Sequence, residues 1–157
     1  MPGFTEFLGE VTTMIHLEHP SNEMWELRRD WFEQKAEPPD EGGYLLSEQA
    51  CAMVADLQCA FCAGTWTAVV VLAAAAVDAH LHDAEGFTGN AKRVIDEAGA
   101  DPQLHTLRKR RNALIHSDPD SPAVTVDQQW SERGRFEEDA RLAVELVFRV
   151  FYASASV

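Results

Sequence analysis

From Ser47 onward the apolar positions of this chain recur at helical spacing, with no sustained alternation of the kind a sheet strand needs. Ser47 suits the N-cap of a helix to about Cys62, with Ala50, Val54, Leu57 and Phe61 as its apolar stripe. Gly64-Thr65 marks an end and a new start. The next segment, about Trp66 to His82, is apolar nearly all round, as befits a helix at the centre of a bundle. A single kinked helix over 47–82 is the alternative to a hairpin. A short helix over Asn90–Ala98 stops at Gly99. Asp101-Pro102 then supplies a cap followed by proline at the first helical position, and Pro119 ends that helix near Ser117. Residues 118–130 read as a loop, with a brief extended run at Val124-Thr125-Val126. The last helix covers about Arg133–Ala153 and buries Phe136, Ala140, Ala143, Val144, Val147, Phe148 and Phe151.

The N-terminal part is less regular. Ser21–Lys35 fits a helix carrying Trp25 and Trp31, Val11–Leu17 fits helix or strand, and the Pro/Gly-rich stretch 37–43 reads as a linker. The pattern as a whole predicts an all-α, up-and-down helical bundle of four to five helices over 47–157. An extension over 1–46, partly helical, precedes it. There is no internal repeat and no heptad run.

At 157 residues, one domain is the default, with 46% hydrophobic and 25% charged residues, ordinary for a globular protein. Leu57–Val77 carries no charge and is long enough to raise a membrane span. Its alanines, Gln58, Gly64, Thr65 and Thr67, and the lack of basic flanks favour a bundle core instead, so no membrane partner is expected. The opening residues lack a basic region and an apolar core, so no secretory signal is read there. Three cysteines in a helical pattern suggest reduced thiols in a cytoplasmic protein. Cys59-x2-Cys62 has no second pair, and His80-x-His82 points to two faces of a helix. Both read as structural, so no metal and no cofactor is expected.

The net charge is −13, with the acidic surplus concentrated before Ala50. A general nucleic-acid coat and a DNA partner are therefore not expected, although a local basic cleft is compatible with that charge. The dense basic run is Arg108-Lys109-Arg110-Arg111, followed by Asn112 and, four residues beyond, His116. On a helix, Arg111 falls inside an apolar arc formed by Leu104, Leu107, Leu114 and Ile115. His105, Asn112 and His116 line one flank. A charge inside such an arc needs a partner, a ligand or a subunit interface. Asp78, the first charge after the long apolar run, is the expected ion-pair partner of Arg111. A guanidinium, a carboxamide and an imidazole in six residues can bind a phosphate, orient it and move a proton. The same spacing also suits a solvated basic face, with His116 favouring the helix dipole.

These features together resemble the HEPN superfamily over roughly Ser47–Ala153. They are the helical pair joined near Gly64-Thr-Trp66, the aliphatic helix carrying Asp78, and Arg111-Asn112-x3-His116 on a later helix. The resemblance implies a bundle that forms a homodimer, bringing two motifs into one cleft, and a metal-independent endoribonuclease of toxin–antitoxin or phage-defence type. It implies His116 as general base or acid, Arg111 as stabiliser of phosphorane charge and Asn112 as an orienting group. Arg108, Lys109 and His105 would bind substrate, and Asp78 would give structural support. RNA is the implied substrate, with a cognate antitoxin protein as a further partner. Other members of the superfamily are inactive, so a helical dimer serving as a binding or assembly module, or a nucleotide-binding bundle, is the alternative.

Overall fold

The computed structural model describes residues 18–84 and 86–153. Val11–Leu17 lies outside the described residues. Within them are seven helices and no strand: α1 (Asn22–Ala36), α2 (Glu48–Ala63), α3 (Trp66–Asp83), α4 (Ala91–Ala98), α5 (Gln103–Ile115), α6 (Val126–Ser131) and α7 (Arg133–Phe151). No described helix is long and apolar enough to cross a membrane.

α2 and α3 form a hairpin, which settles the choice between one kinked helix and two. Gly64 ends α2 in the left-handed region (φ 77°), and its N–H and that of Thr65 return to the carbonyls of Phe61 and Ala60. The positive φ favours glycine, and a Cβ here would also lie 2.9 Å from Arg28 Nη1, which would have to move aside. Gly64→Ala is expected to destabilise the chain by about 1–2 kcal/mol from backbone strain alone, read as a lower denaturant midpoint. The open end of the hairpin is stitched by Ser47. Its buried hydroxyl accepts the Ala50 N–H (3.1 Å) and donates to Asp83 Oδ2 (3.0 Å).

α3 is central, packing on α2, α7, α5 and α4. Its alanines make that possible: Ala73 and Ala76 are fully buried with Val69, and small side chains let neighbouring helices approach closely. α7 supplies the facing wall through Phe136, Ala140, Val144, Val147 and Phe151.

Residues 22–36 belong to this same core, rather than standing outside it as an extension. Phe32 is 1% exposed, and Trp31 stacks on Phe61 with ring centroids 4.9 Å apart. Tyr152 donates its hydroxyl to the Ala36 carbonyl (2.5 Å), and Lys35 pairs with Glu145 (3.0 Å), joining α1 to α7. The bundle is thus built from five long helices with two short ones attached. α6 replaces the expected loop. Thr125 and Gln128 form a reciprocal capping box, Thr125 Oγ1 accepting the Gln128 N–H and Gln128 Oε1 accepting the Thr125 N–H.

Candidate functional site

α5 begins as the sequence indicates, with Asp101 Oδ1 accepting the Gln103 N–H (2.9 Å). It ends at Ile115, one residue short of the histidine. Pro119 accounts for the stop, because its ring would meet the carbonyl four residues back in a continued helix. Asp118 then organises a turn, its carboxylate accepting the Asp120 N–H (3.0 Å). His116 is therefore the C-cap, with extended backbone (φ −112°, ψ 105°), and its N–H still reaches the Asn112 carbonyl (2.9 Å). Side-chain stacking of His116 on Asn112 through helical geometry, as the i,i+4 spacing suggested, is not available to an extended residue. The ring is exposed and makes no hydrogen bond among the described residues.

The four consecutive cations take three different roles. Arg110 donates to the Ala123 carbonyl (2.9 Å), faces Asp139 (3.7 Å) and lies over Phe136, pinning the 116–125 segment to the bundle. Lys109 is exposed. Arg108 and Arg111 turn together into a recess between α3, α4 and α5, which they share with Ala74, Asp78, Ile95 and Leu107. The recess is small, ≈ 20 Å³, room for about one water. Each of these two arginines has a buried Nε with no hydrogen-bond partner. A buried, unsatisfied N–H is costly, about 1–3 kcal/mol and more on a charged group, so the recess holds two donors in want of an acceptor.

Asp78 does not supply that acceptor. Its side chain is 43% exposed rather than buried, and its carboxylate faces His82 one turn along its own helix (3.5 Å). No ion pair with Arg111 is formed, because the local i,i+4 partner is closer at hand. Asp78 and Arg111 share the recess without joining across it. His105 is likewise committed, its Nε2 lying 2.7 Å from Asp96 Oδ1 on α4, which makes it a clasp between helices rather than a free substrate contact. Ile115 also departs from the expected apolar arc at 47% exposed. Arg111, Asn112 and Leu114 remain half-buried.

The clasp has a pH signature. Hydrogen bonds from Lys92 and then His105 hold the Asp96 carboxyl below its ordinary value of 3.8. A carboxyl lowered in the folded state stabilises above its unfolded pKa, and that stability is lost as pH falls through the folded value. α4 is expected to loosen from α5 as pH drops below 3.8, and Asp96→Asn to loosen it at neutral pH. Faster amide exchange across 91–98, with the core unchanged, is the readout.

The cysteines do not behave as one group: Cys51 and Cys59 are exposed and Cys62 is buried. Burial raises the Cys62 thiol above its usual pKa, with Cys59 adding to the effect. His80 packs on Phe151 (5.0 Å) while His82 faces Asp78, so the two do not converge. Among the described residues no cluster of His, Cys, Asp and Glu is placed to hold a metal ion. Sequence reasoning passed over Arg110, although its place in the basic run was visible. The contact that explains it, with a carbonyl thirteen residues on, leaves no sequence signature. Comparison with family models, with curated proteins and with solved structures found no significant match to this chain.

Proposed function

We propose that this protein is a HEPN-like, metal-independent endoribonuclease that acts in the cytoplasm as a homodimer, of the toxin or phage-defence kind. The observation that carries the reading is the state of the motif residues. Arg111 keeps an Nε donor without an acceptor, and His116, five residues on, presents an uncommitted imidazole to solvent. Arg110, His105 and Arg149 differ from them in being tied to acids.

In the proposed reaction one His116 takes the proton of a ribose 2′-OH as its oxygen attacks phosphorus. Arg111 stabilises the charge that develops on the phosphorane oxygens. The bond from phosphorus to the 5′-oxygen then breaks, and that oxygen takes a proton from imidazolium, leaving a 2′,3′-cyclic phosphate and a 5′-hydroxyl. Asn112, half-buried one residue after Arg111, would orient the scissile group. Lys109, exposed on the same helix, offers a charge to a flanking phosphate. His105, held by Asp96, takes no part in substrate binding, and Arg108 lines the recess beside Arg111. A second copy packing over α5 would complete the cleft, and an antitoxin would act by covering it.

One observation favours a second reading, an inactive dimer that serves as an assembly module. The recess beside Arg111 is too small for a nucleotide, and both arginine Nε groups that line it are buried. Incubation with total RNA or tRNA in excess EDTA separates the two. Fragments ending in cyclic phosphate support the nuclease. A dimer that leaves RNA intact, and is harmless when expressed, supports the module.

A further inference from the structure

The turn between α2 and α3 gathers two guanidiniums that form no ion pair with a carboxylate among the described residues. Arg28 of α1 and Arg133 of α7 lie over the indole of Trp66, 4.8 and 5.9 Å from the ring centroid. Arg28 Nη1 donates to the Cys62 carbonyl (3.1 Å) and Arg133 Nη2 to the Gly64 carbonyl (2.6 Å). Both thereby satisfy acceptors left open where α2 ends. Those acceptors are neutral, however, and Glu137 acts on Arg133 without forming an ion pair with it. Arg28 Nε is buried without a partner. Burial, and then the charge of Arg28, hold Arg133 below its usual pKa. Glu137, the nearby acid, is occupied by Arg141 (2.6 Å). With 26 acidic residues against 13 basic ones, a shortage of acids does not explain this pair.

Beside it lies a groove of ≈ 950 Å³, whose lining includes Trp25, Thr65, Trp66, Gln129 and Arg133 together with one carboxylate, Glu18. The volume suits a small polar ligand. Its lining combines a guanidinium fork and two threonines with the half-buried Trp25 indole. Arg133 is also held in place, its Nη1 donating to Gln129 Oε1 (3.0 Å), so the fork is already oriented. The first turn of α3 opens nearby without a side-chain cap, since Thr65 Oγ1 donates to the Ala60 carbonyl instead.

We propose that this groove binds the phosphate group of a nucleotide, with Arg133 gripping the phosphate, Arg28 adding charge from behind Trp66, and Trp25 carrying the base. Guanidinium forks match phosphate oxygens, and a base stacks on an indole face. The site uses none of the RNA-cleavage motif, and it stands or falls independently of that reading. The phosphate could come from a free mononucleotide or from the phosphorylated end of an RNA chain.

The test titrates the intact chain with AMP, with inorganic phosphate, and with a short oligoribonucleotide carrying or lacking a 5′-phosphate. Calorimetry and tryptophan fluorescence report binding. AMP binding that phosphate competes away assigns a free nucleotide, and binding restricted to the 5′-phosphorylated oligomer assigns an RNA end. In either case Arg133→Gln is expected to weaken affinity at least about tenfold, as loss of a charge-assisted hydrogen bond does. Trp25→Ala, a variant that leaves the Gly64 contact intact, is expected to weaken AMP several-fold and phosphate hardly at all. No binding of any probe at millimolar concentration overturns the proposal. So does AMP or oligomer binding that both folded variants retain in full.

Discussion

His116→Ala is expected to reduce RNA cleavage by roughly 10²–10⁴-fold, the range lost with a positioned general acid or base, without moving the thermal midpoint. The second half of that expectation follows from the geometry. His116 sits outside α5, exposed, with only its backbone N–H engaged, so removing the ring leaves every described contact in place. Arg111→Ala is expected to cost a further informative amount, roughly 10²–10³-fold, through lost stabilisation of the phosphorane. Arg111→Lys should recover little, because an ammonium cannot reproduce the fork. Unchanged cleavage in all three variants would make the motif scaffold and move the activity elsewhere.

The largest effect on stability is expected at Phe61. Its side chain is fully buried and meets Trp31, Phe32 and Trp66 at centroid distances of 4.9, 6.0 and 5.5 Å. It also lies beneath the guanidinium of Arg141 (5.3 Å). Phe61→Ala removes one ring from contact with α1, α3 and α7 together, so no single helix can shift to fill the space. A loss of about 3–5 kcal/mol is expected, equivalent to roughly 6–20 °C in Tm for a chain of this size. Phe61→Leu should recover more than half of it. A loss under about 1 kcal/mol would mean that α1 is not part of the cooperative core.

Much of the bundle was legible because its signals are local. Ser47, Gly64, Asn90, Gly99 and Asp101 all stand at helix boundaries, and the nearly all-apolar face pattern of α3 announced a central helix. Thr125-x2-Gln128 was an equally local signal for α6, masked by the prolines and acids around it. α1 was readable as a helix but not as part of the core, because its burial depends on Phe61 and Phe148 arriving from far along the chain.

The candidate site was readable as a set of residues and less so as geometry. The helical wheel grouped Arg111 with Leu104, Leu107, Leu114 and Ile115, but of these Arg111 shares its recess with Leu104 and Leu107 alone, Leu114 lying on the Arg110 side and Ile115 exposed. It could not show that Asp78 would turn to His82, that His105 would be taken by Asp96, or that Pro119 would push His116 out of the helix. Each of these outcomes is a competition between two partners, and spacing names the candidates without choosing between them. The Arg28–Trp66–Arg133 stack joins three helices and has no sequence pattern at all.

The most direct test of the account compares wild type with His116→Ala, at equal folding by circular dichroism, on RNA in excess EDTA, and determines the chemistry of the new ends. Cyclic phosphate and 5′-hydroxyl ends from wild type alone are the predicted result. Equal cleavage by both proteins, or cleavage that EDTA abolishes, would contradict a metal-free nuclease centred on His116.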